Sequence, residues 1–147
     1  DILYWASLTH EIGMVISHKH YNRHSSYLLR NSDLPGFSQG EQEKLSLITN
    51  THRGKIKNFF LEDFSKKDSQ QLSRMIALIR LSVLLKYTEK PSGELNLELT
   101  AENSTLTLRF QKNWLDTHPL TRQAIEKEKI VLAEIGITLQ TGRGKEL

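Results

Sequence analysis

The chain has 147 residues, of which 37% are apolar and 25% are charged, as expected for one globular domain or for one larger and one smaller unit. No apolar run approaches the roughly 20 residues that span a bilayer, and the lack of cysteine excludes disulfides and thiolate metal sites. The net charge of +3 is too small to indicate nucleic-acid binding by itself. Trp5 and Trp114 are expected to pack in cores rather than to form a stacking platform. Residues 1–57 hold five of the six histidines and an excess of basic residues, which favours an anionic partner.

Apolar periodicity predicts three helices in the first part of the chain. Residues 2–17 should form a helix that is buried on most sides. Within it, Gly13 lowers helix propensity but allows a neighbouring helix to approach closely. A second helix is expected at about residues 22–30. Pro35-Gly36 marks a turn, and an S-x-x-E capping box then begins a third helix at residues 38–51.

The pattern then changes from a long helix to strands. Apolar residues at steps of three and four predict a central helix at about residues 68–88. Pro91-Ser92-Gly93 interrupts this pattern. Strict alternation follows at residues 95–99 and 105–110, which predicts two half-buried strands joined by a hairpin turn at residues 102–104.

The end of the chain completes a small mixed unit. A helix is predicted from about Pro119 to Glu134, followed by a short strand at residues 137–140 and a frayed polar tail at residues 141–147. We therefore predict an α+β fold, with a mainly helical domain at residues 1–90 and a ββαβ domain at residues 91–147.

The stretch L-T-H-E-I-G, which contains His10 and Glu11, resembles the metal-binding core of an HD-type phosphohydrolase domain. In such domains, a His-Asp pair and ligands from other helices hold a divalent ion that activates water. Here Glu11 replaces the aspartate, and Val83 stands where a later aspartate ligand is expected. Because valine cannot coordinate a metal, we interpret His10 and Glu11 as a degenerate site and assign no metal to it. An independent, metal-dependent HD phosphohydrolase is the alternative.

Basic residues cluster after the first and the third predicted helix. We predict that five of them contact a phosphate polyanion: His18, Arg23, His24, His52 and Arg53. Arginine offers a two-pronged donor to phosphate, and an imidazolium adds charge as the pH falls. A zinc site formed by His18, His20 and His24 is an alternative, although the surrounding positive charge opposes the binding of a cation. A solvated polar loop is another alternative. No residue is predicted to be catalytic, because nucleophile and glycine-rich phosphate-loop motifs are missing from the sequence.

Three segments together resemble the C-terminal region of the exopolyphosphatase and guanosine pentaphosphate phosphohydrolase (Ppx/GppA) family. They are L-T-H-E-I-G, S-H-K-H-Y-N-R-H-S-S-Y-L-L-R-N-S-D-L-P-G-F and T-H-R-G-K-I-K. The similarity continues into L-T-L-R-F-Q-K-N-W-L and so covers nearly the whole chain. The R-H-S-S-Y-L-L-R-N-S-D-L-P-G-F and H-R-x-x-I-K stretches look more like the exopolyphosphatase branch, which we favour. W-L-x-x-H-P-L looks more like the pentaphosphate phosphohydrolase branch.

The resemblance implies the C-terminal part of a hydrolase that releases the terminal phosphate from inorganic polyphosphate or guanosine pentaphosphate (pppGpp). In that family, an N-terminal pair of actin-like domains carries the metal-dependent catalytic site. We therefore expect Mg²⁺ in the full-length enzyme, but neither a cofactor nor a complete active site in this chain. The start at Asp1, without a methionine and directly within an apolar pattern, also leads us to expect part of a longer protein. Whether the chain alone is an enzyme is left open.

The resemblance also implies what the C-terminal part does. In the family it is an HD-like helical domain followed by a small mixed domain, and in homodimers it borders a channel where basic residues guide polyphosphate. The five basic residues named above match those positions, whereas Asn22 departs from the common H-R-H. Expected partners are polyphosphate or another polyanionic phosphate, the protein's own N-terminal domains and a second copy. The expected location is cytoplasmic, with peripheral membrane association left open. A purely architectural dimerisation module is the further alternative.

Overall fold

The computed structural model describes residues 1–86 and 97–143, except for the side chains of Asn58, Phe59 and Arg143. The chain divides into two compact units, Asp1–Arg80 and Leu81–Leu147, which we call the helical unit and the sheet unit. Within the described residues, helices and a three-stranded sheet confirm the predicted α+β class. None of the described helices is long and apolar enough to cross a membrane. The predicted domain boundary at residue 90 lies outside the described residues and stays a prediction.

The described elements follow the predicted order. The helical unit contains α1 (Ile2–Thr9), α2 (Tyr21–Asn31), α3 (Gln39–Thr51) and most of α4 (Lys66–Lys86), with 3₁₀ turns at Ile12–Val15 and Asn58–Leu61. The sheet unit contains β1 (Leu97–Glu102), β2 (Thr105–Phe110), α5 (Pro119–Ala133) and β3 (Thr138–Arg143), with a 3₁₀ turn at Leu115–Thr117. Differences of one or two residues at helix ends carry no meaning, so α2, α3 and α5 agree with the prediction. The predicted end of the central helix at Thr88 lies outside the described residues.

The first helix is shorter than predicted, because the chain leaves α1 to approach α2. A Cβ atom added at Gly13 would overlap the carbonyl oxygen of Tyr21, so the predicted close approach at Gly13 is confirmed. The Gly13 amide donates to Ser25 Oγ at 2.8 Å, and the Ser25 hydroxyl donates to the carbonyl oxygen of His10 at 2.7 Å. These bonds satisfy backbone groups that a continuing helix would otherwise pair. The predicted helix to Ser17 is therefore wrong.

Most large apolar side chains before residue 17 are exposed, contrary to the prediction of a helix buried on most sides. In α1 only Ala6 is buried. Trp5 is 43% exposed and meets the ring of Phe37 edge-on, so the prediction that it packs in a core is also wrong. The apolar side chains do recur along α1 and the 3₁₀ turn after it, but no other part of the described chain buries them. We call the following set the apolar N-terminal surface: Tyr4, Trp5, Leu8, Ile12, Met14, Val15 and Ile16.

Polar side chains bridge α2 and α3 along an antiparallel helical hairpin. Near the start of α2, the Asn22 amide donates to the carbonyl oxygen of Asn50 at 2.7 Å. One turn further along each helix, the hydroxyl oxygens of Ser26 and Ser46 lie 2.8 Å apart. At the other end, the Gln42 amide donates to carbonyl oxygens at the end of α2. These bonds recur at intervals of about four residues, the helical repeat, and they fix the register of the two helices.

The start of α3 confirms the predicted capping box. The Glu41 amide donates to Ser38 Oγ at 3.2 Å, and the Ser38 amide donates to Glu41 Oε2 at 2.8 Å. Both bonds satisfy amides that have no partner within the helix. The hydrogen bonds from Ser38 lower the pKa of Glu41, because they favour its charged form.

In the sheet unit, β2 is the central strand. It pairs antiparallel with β1 and parallel with β3, in the order β1-β2-β3. The hairpin closes where Glu102 faces Thr105, with Asn103 at a φ of +53° in the turn, as the sequence predicted. Leu106, Leu108 and Phe110 are buried, which confirms the alternation expected for β2. In β1 the burial alternates less clearly than predicted, because Leu99 is exposed.

The last strand is longer than predicted. Thr141 and Gly142 continue β3 and pair with Leu108 and Arg109 of β2. The prediction that the tail frays from residue 141 is therefore wrong up to Arg143, because β2 offers backbone partners that the sequence pattern does not reveal. The prediction for residues 144–147 lies outside the described residues.

Trp114 packs in the sheet unit, as predicted. It is 7% exposed, and its ring is stacked with those of Phe110 and His118, with centroid distances of 5.1 Å and 3.8 Å. The parallel rings bury apolar area on both faces of the indole.

Replacing Gly13 should test the contact that ends α1. We expect Gly13→Ala to lower the free energy of unfolding by about 2–4 kcal/mol, because the new methyl group would overlap backbone atoms of α2. Gly40→Ala is the matched control, since Gly40 lies in α3 and a Cβ there meets nothing within 4 Å. The control should be neutral or stabilising by up to ~1 kcal/mol. Urea unfolding of both variants checks this, and equal effects would contradict it.

Candidate functional site

A basic cleft lies in the helical unit, between the start of α2 and the segment that follows α3. It has a volume of about 670 Å³, within the range of ~300–1,000 Å³ that is usual for ligand pockets. Its lining includes two arginines and two lysines: Arg23, Arg53, Lys55 and Lys57. No carboxylate is among the described residues that line it. The charge of the basic cleft therefore favours an anion.

Arg80 of α4 holds the segment that presents these cations. Its Nη1 donates to the carbonyl oxygen of Thr51 at 2.6 Å, and its Nη2 donates to that of Gly54 at 2.9 Å. Carbonyl groups at a helix end have no partner within the helix, and here a buried guanidinium supplies one. Gly54 has a φ of +74°, so it turns the chain away from α3, as the sequence predicted. The segment thereby leaves α3 and carries Arg53 and Lys55 to the cleft.

Tyr21 links the cleft to the core beneath it. The guanidinium carbon of Arg53 lies 4.6 Å from the centroid of the Tyr21 ring, a distance typical of a cation–π contact. The ring of His18 packs against the same tyrosine, with centroids 5.7 Å apart. The Tyr21 hydroxyl lies 3.3 Å from Nε2 of His52. Because Tyr21 is itself buried, it restrains Arg53 from below.

His52 does not reach the cleft, although the sequence analysis placed it among the phosphate contacts. It is 1% exposed, and its Nδ1 lies 2.6 Å from the carbonyl oxygen of Thr49. Burial lowers its pKa from the usual 6.5 to about 4, against the opposing effect of the Thr49 bond. At neutral pH the ring is therefore uncharged and donates to Thr49. The structure does not support a direct phosphate contact, and it gives His52 a structural role instead.

The other predicted contacts divide into two groups. Arg23 and Arg53 come together in the lining of the cleft, as expected of residues that share a ligand. His18 is exposed and touches Tyr21, whereas His24 is half-buried, and neither lines the cleft. Phosphate binding by these residues stays a prediction.

The sequence analysis did not place several residues that line the cleft among the phosphate contacts: His20, Asn22, Asn50, Lys55, Lys57 and Phe60. For the two lysines a signal was available. The sequence alternates charged and apolar residues at Lys55, Ile56 and Lys57, and in the structure Ile56 is buried while both lysines are exposed. Asn22, the position that departs from the common H-R-H, bonds to α3 rather than offering a charge.

The degenerate HD pair lies close to the core. His10 Nε2 is 3.7 Å from Glu11 Oε1, and His10 Nδ1 is 2.8 Å from the carbonyl oxygen of Ser7. The ring of His10 meets that of His52 edge-on at 4.9 Å. In the part of the chain that the structure describes, no three His, Cys, Asp or Glu side chains are grouped so that they could hold a metal ion. Within the described residues, neither the HD pair nor the histidines of the zinc alternative belong to such a group.

Comparison with known proteins identifies the family. The family model described as Ppx/GppA phosphatase, domain III, matches residues 1–129. The chain therefore belongs to the Ppx/GppA phosphatase family, and the predicted resemblance is confirmed. Residues 130–147, which include β3, lie outside the match.

Several relatives carry the name guanosine-5'-triphosphate,3'-diphosphate pyrophosphatase. The chain is 30% identical over 127 residues to the one from Pseudoalteromonas translucida. It is 33% identical over 135 residues to that of Vibrio atlanticus, and 35% identical over 127 residues to that of Vibrio parahaemolyticus. These alignments cover 86% to 92% of the chain but only 25% to 27% of each relative, so the chain spans about a quarter of their length. The exopolyphosphatase branch favoured above stays a prediction, because these relatives carry the other name.

The neutral His52 should make the fold sensitive to acid. The unfolded chain protonates this ring near pH 6.5 and the folded chain near pH 4, so the unfolded state binds more protons as the pH falls between them. The free energy of unfolding should therefore fall over this window, by up to ~3 kcal/mol. Urea unfolding from about pH 7 to about pH 4.5 measures it, and His52→Gln should flatten the dependence. Wild-type stability that stays constant below pH 6.5 would contradict the assignment.

Proposed function

We propose that this chain is the phosphate-guiding part of a hydrolase that releases the terminal phosphate from inorganic polyphosphate or pppGpp. The observation that carries the proposal is the basic cleft, in which Arg23, Arg53, Lys55 and Lys57 meet without a carboxylate among the described lining residues. Membership of the Ppx/GppA phosphatase family supports a phosphate substrate. By the resemblance, catalysis and its Mg²⁺ belong to N-terminal actin-like domains of a longer cytoplasmic protein.

The chemistry of the cleft suits a chain of phosphates. Each guanidinium can donate two parallel hydrogen bonds to phosphate oxygens, whereas lysine acts as a mobile point charge. Several such contacts of moderate strength hold a polymer without fixing one register, because a phosphate that leaves one cation meets the next. Contacts of this kind weaken as salt rises, since binding releases counterions. The cleft would thus keep a polyphosphate near the catalytic site between successive cleavages.

Removing cleft arginines should test this role. We expect Arg23→Ala with Arg53→Ala to weaken the binding of long-chain polyphosphate by about 1.5–3 kcal/mol for each lost charged hydrogen bond. Titration calorimetry at low salt measures the affinity. Lys66→Ala with Arg74→Ala is the matched control, because it removes the same charge from exposed positions of α4 outside the cleft lining. If both double variants lost the same affinity, the change in net charge alone would explain the loss, and this would contradict a defined site.

We also propose that the chain forms a homodimer through the apolar N-terminal surface. Tyr4 and Leu8 lie one turn apart on α1, and Val15 is 84% exposed in the following 3₁₀ turn. Grouped apolar residues of this kind usually mark a protein contact, because leaving them in water costs free energy. The resemblance to a homodimeric family supports a second copy as the partner.

Charge on this surface should separate the copies. We expect Val15→Asp to shift the chain from dimer to monomer at micromolar concentration, because an unpaired carboxylate resists burial. Ile130→Asp is the control, since Ile130 is an exposed apolar residue of α5 outside this surface. Sedimentation velocity over a range of concentrations gives the result. A wild-type chain that stays monomeric throughout would contradict the homodimer.

A further inference from the structure

A second cavity adjoins the basic cleft in the helical unit. It has a volume of about 210 Å³, and we call it the side pocket. Asn50 and Phe60 line both cavities, so the two share a wall. Ser26 and Ser46, which bridge α2 and α3, also line the side pocket. The side pocket therefore lies along the same helical hairpin as the basic cleft, one turn further along.

The chemistry of the side pocket differs from that of the cleft. Glu43 and Asp63 contribute carboxylates, against a single cation from Arg30, and Phe60 and Phe64 contribute aromatic rings. His10 pairs with Glu11 and Lys44 pairs with Asp68 in this unit, whereas neither Glu43 nor Asp63 takes part in an ion pair within the described residues. A bare polyphosphate presents only anionic oxygens, which carboxylates repel. With two carboxylates and one guanidinium in its described lining, the side pocket suits a different group attached to the phosphates.

We propose that the side pocket binds the guanine base of a guanosine polyphosphate whose phosphates lie in the basic cleft. This inference rests on the proposed function, since it needs the cleft to hold phosphates. Guanine presents adjacent N–H donors at N1 and N2, and a carboxylate is a pure acceptor that can receive both. Protein sites that read single bases combine such edge contacts with stacking on aromatic side chains. Glu43 or Asp63 supplies the acceptor, and Phe60 and Phe64 supply the rings.

The placement of residues along the hairpin fits one ligand across both cavities. On α2, Arg23 lines the cleft, whereas Ser26 and Arg30, three and seven residues later, line the side pocket. Residues at these spacings share one face of a helix. Asn50 lines both cavities, so it lies where the sugar of such a nucleotide would be placed. The base, sugar and phosphates of one nucleotide would then follow the groove between α2 and α3.

The carboxylates also predict which base is preferred. Adenine presents an acceptor at N1, which a carboxylate repels, in place of the N1–H donor of guanine. A site built on Glu43 and Asp63 should therefore discriminate between two nucleotides of equal charge. Inorganic triphosphate, which has no base, reports on the basic cleft alone.

Three probes that share a triphosphate group test the inference: GTP, ATP and inorganic triphosphate. Titration of the chain should show GTP binding at least about tenfold more tightly than ATP, a difference of about 1.4 kcal/mol. Glu43→Gln with Asp63→Asn should abolish the GTP-to-ATP ratio without weakening the binding of inorganic triphosphate. Because GTP and ATP carry the same charge, the loss of negative charge that comes with removing two carboxylates changes both affinities alike, and the GTP-to-ATP ratio reports only on base recognition. Circular dichroism checks that the variant folds.

The outcomes separate the two proposals. Equal affinity for GTP and ATP, with inorganic triphosphate still bound in a salt-dependent way, would overturn the side-pocket inference and leave the proposed function intact. A GTP preference that survives in the double variant would also overturn it. Failure of all three probes to bind would overturn the proposed function and the inference together.

Discussion

The register of α2 against α3 is the constraint on which the candidate site depends. Asn22 is bonded to Asn50, Ser26 to Ser46, and Gln42 to the end of α2. Each bond satisfies polar groups at a helix interface, and losing one partner would leave the other unsatisfied there. A shift of either helix by one residue would break all of them. The basic cleft and the side pocket lie along this hairpin, so their residues stay in place only while the register holds.

Neighbouring contacts extend this constraint to the cleft's cations. Arg80 binds carbonyl oxygens at the end of α3 and just beyond it, and Tyr21 supports Arg53 from the core. His52 completes the layer beneath as a neutral ring, because charge there would be buried without compensation. The exposed cations of the cleft therefore lie above buried polar side chains, among which His52 is uncharged at neutral pH. His52, which looks like a binding residue in the sequence, thus has a structural role here.

Local patterns predicted the fold well, whereas long-range contacts could not be predicted. The capping box at Ser38 and the alternation in β2 are short-range features, so the sequence shows them directly. The end of α1 depends on Ser25, twelve residues away from Gly13, and no local rule reveals that bond. His52 was expected to bind phosphate as one of the basic residues that match the family, but it is buried and contacts Thr49 and Tyr21 instead. Arg23 and Arg53 were predicted from their residue type, and they do lie together in the cleft lining, but phosphate binding by them stays a prediction.

The most direct test of the central claim is the slope of log affinity against log salt concentration for long-chain polyphosphate binding to this chain. Each phosphate neutralised on a single-stranded polyanion contributes about −0.7 to this slope. The four cations of the basic cleft therefore predict a slope of about −3. A slope near zero, or no binding at low salt, would contradict the account that the cleft holds a chain of phosphates.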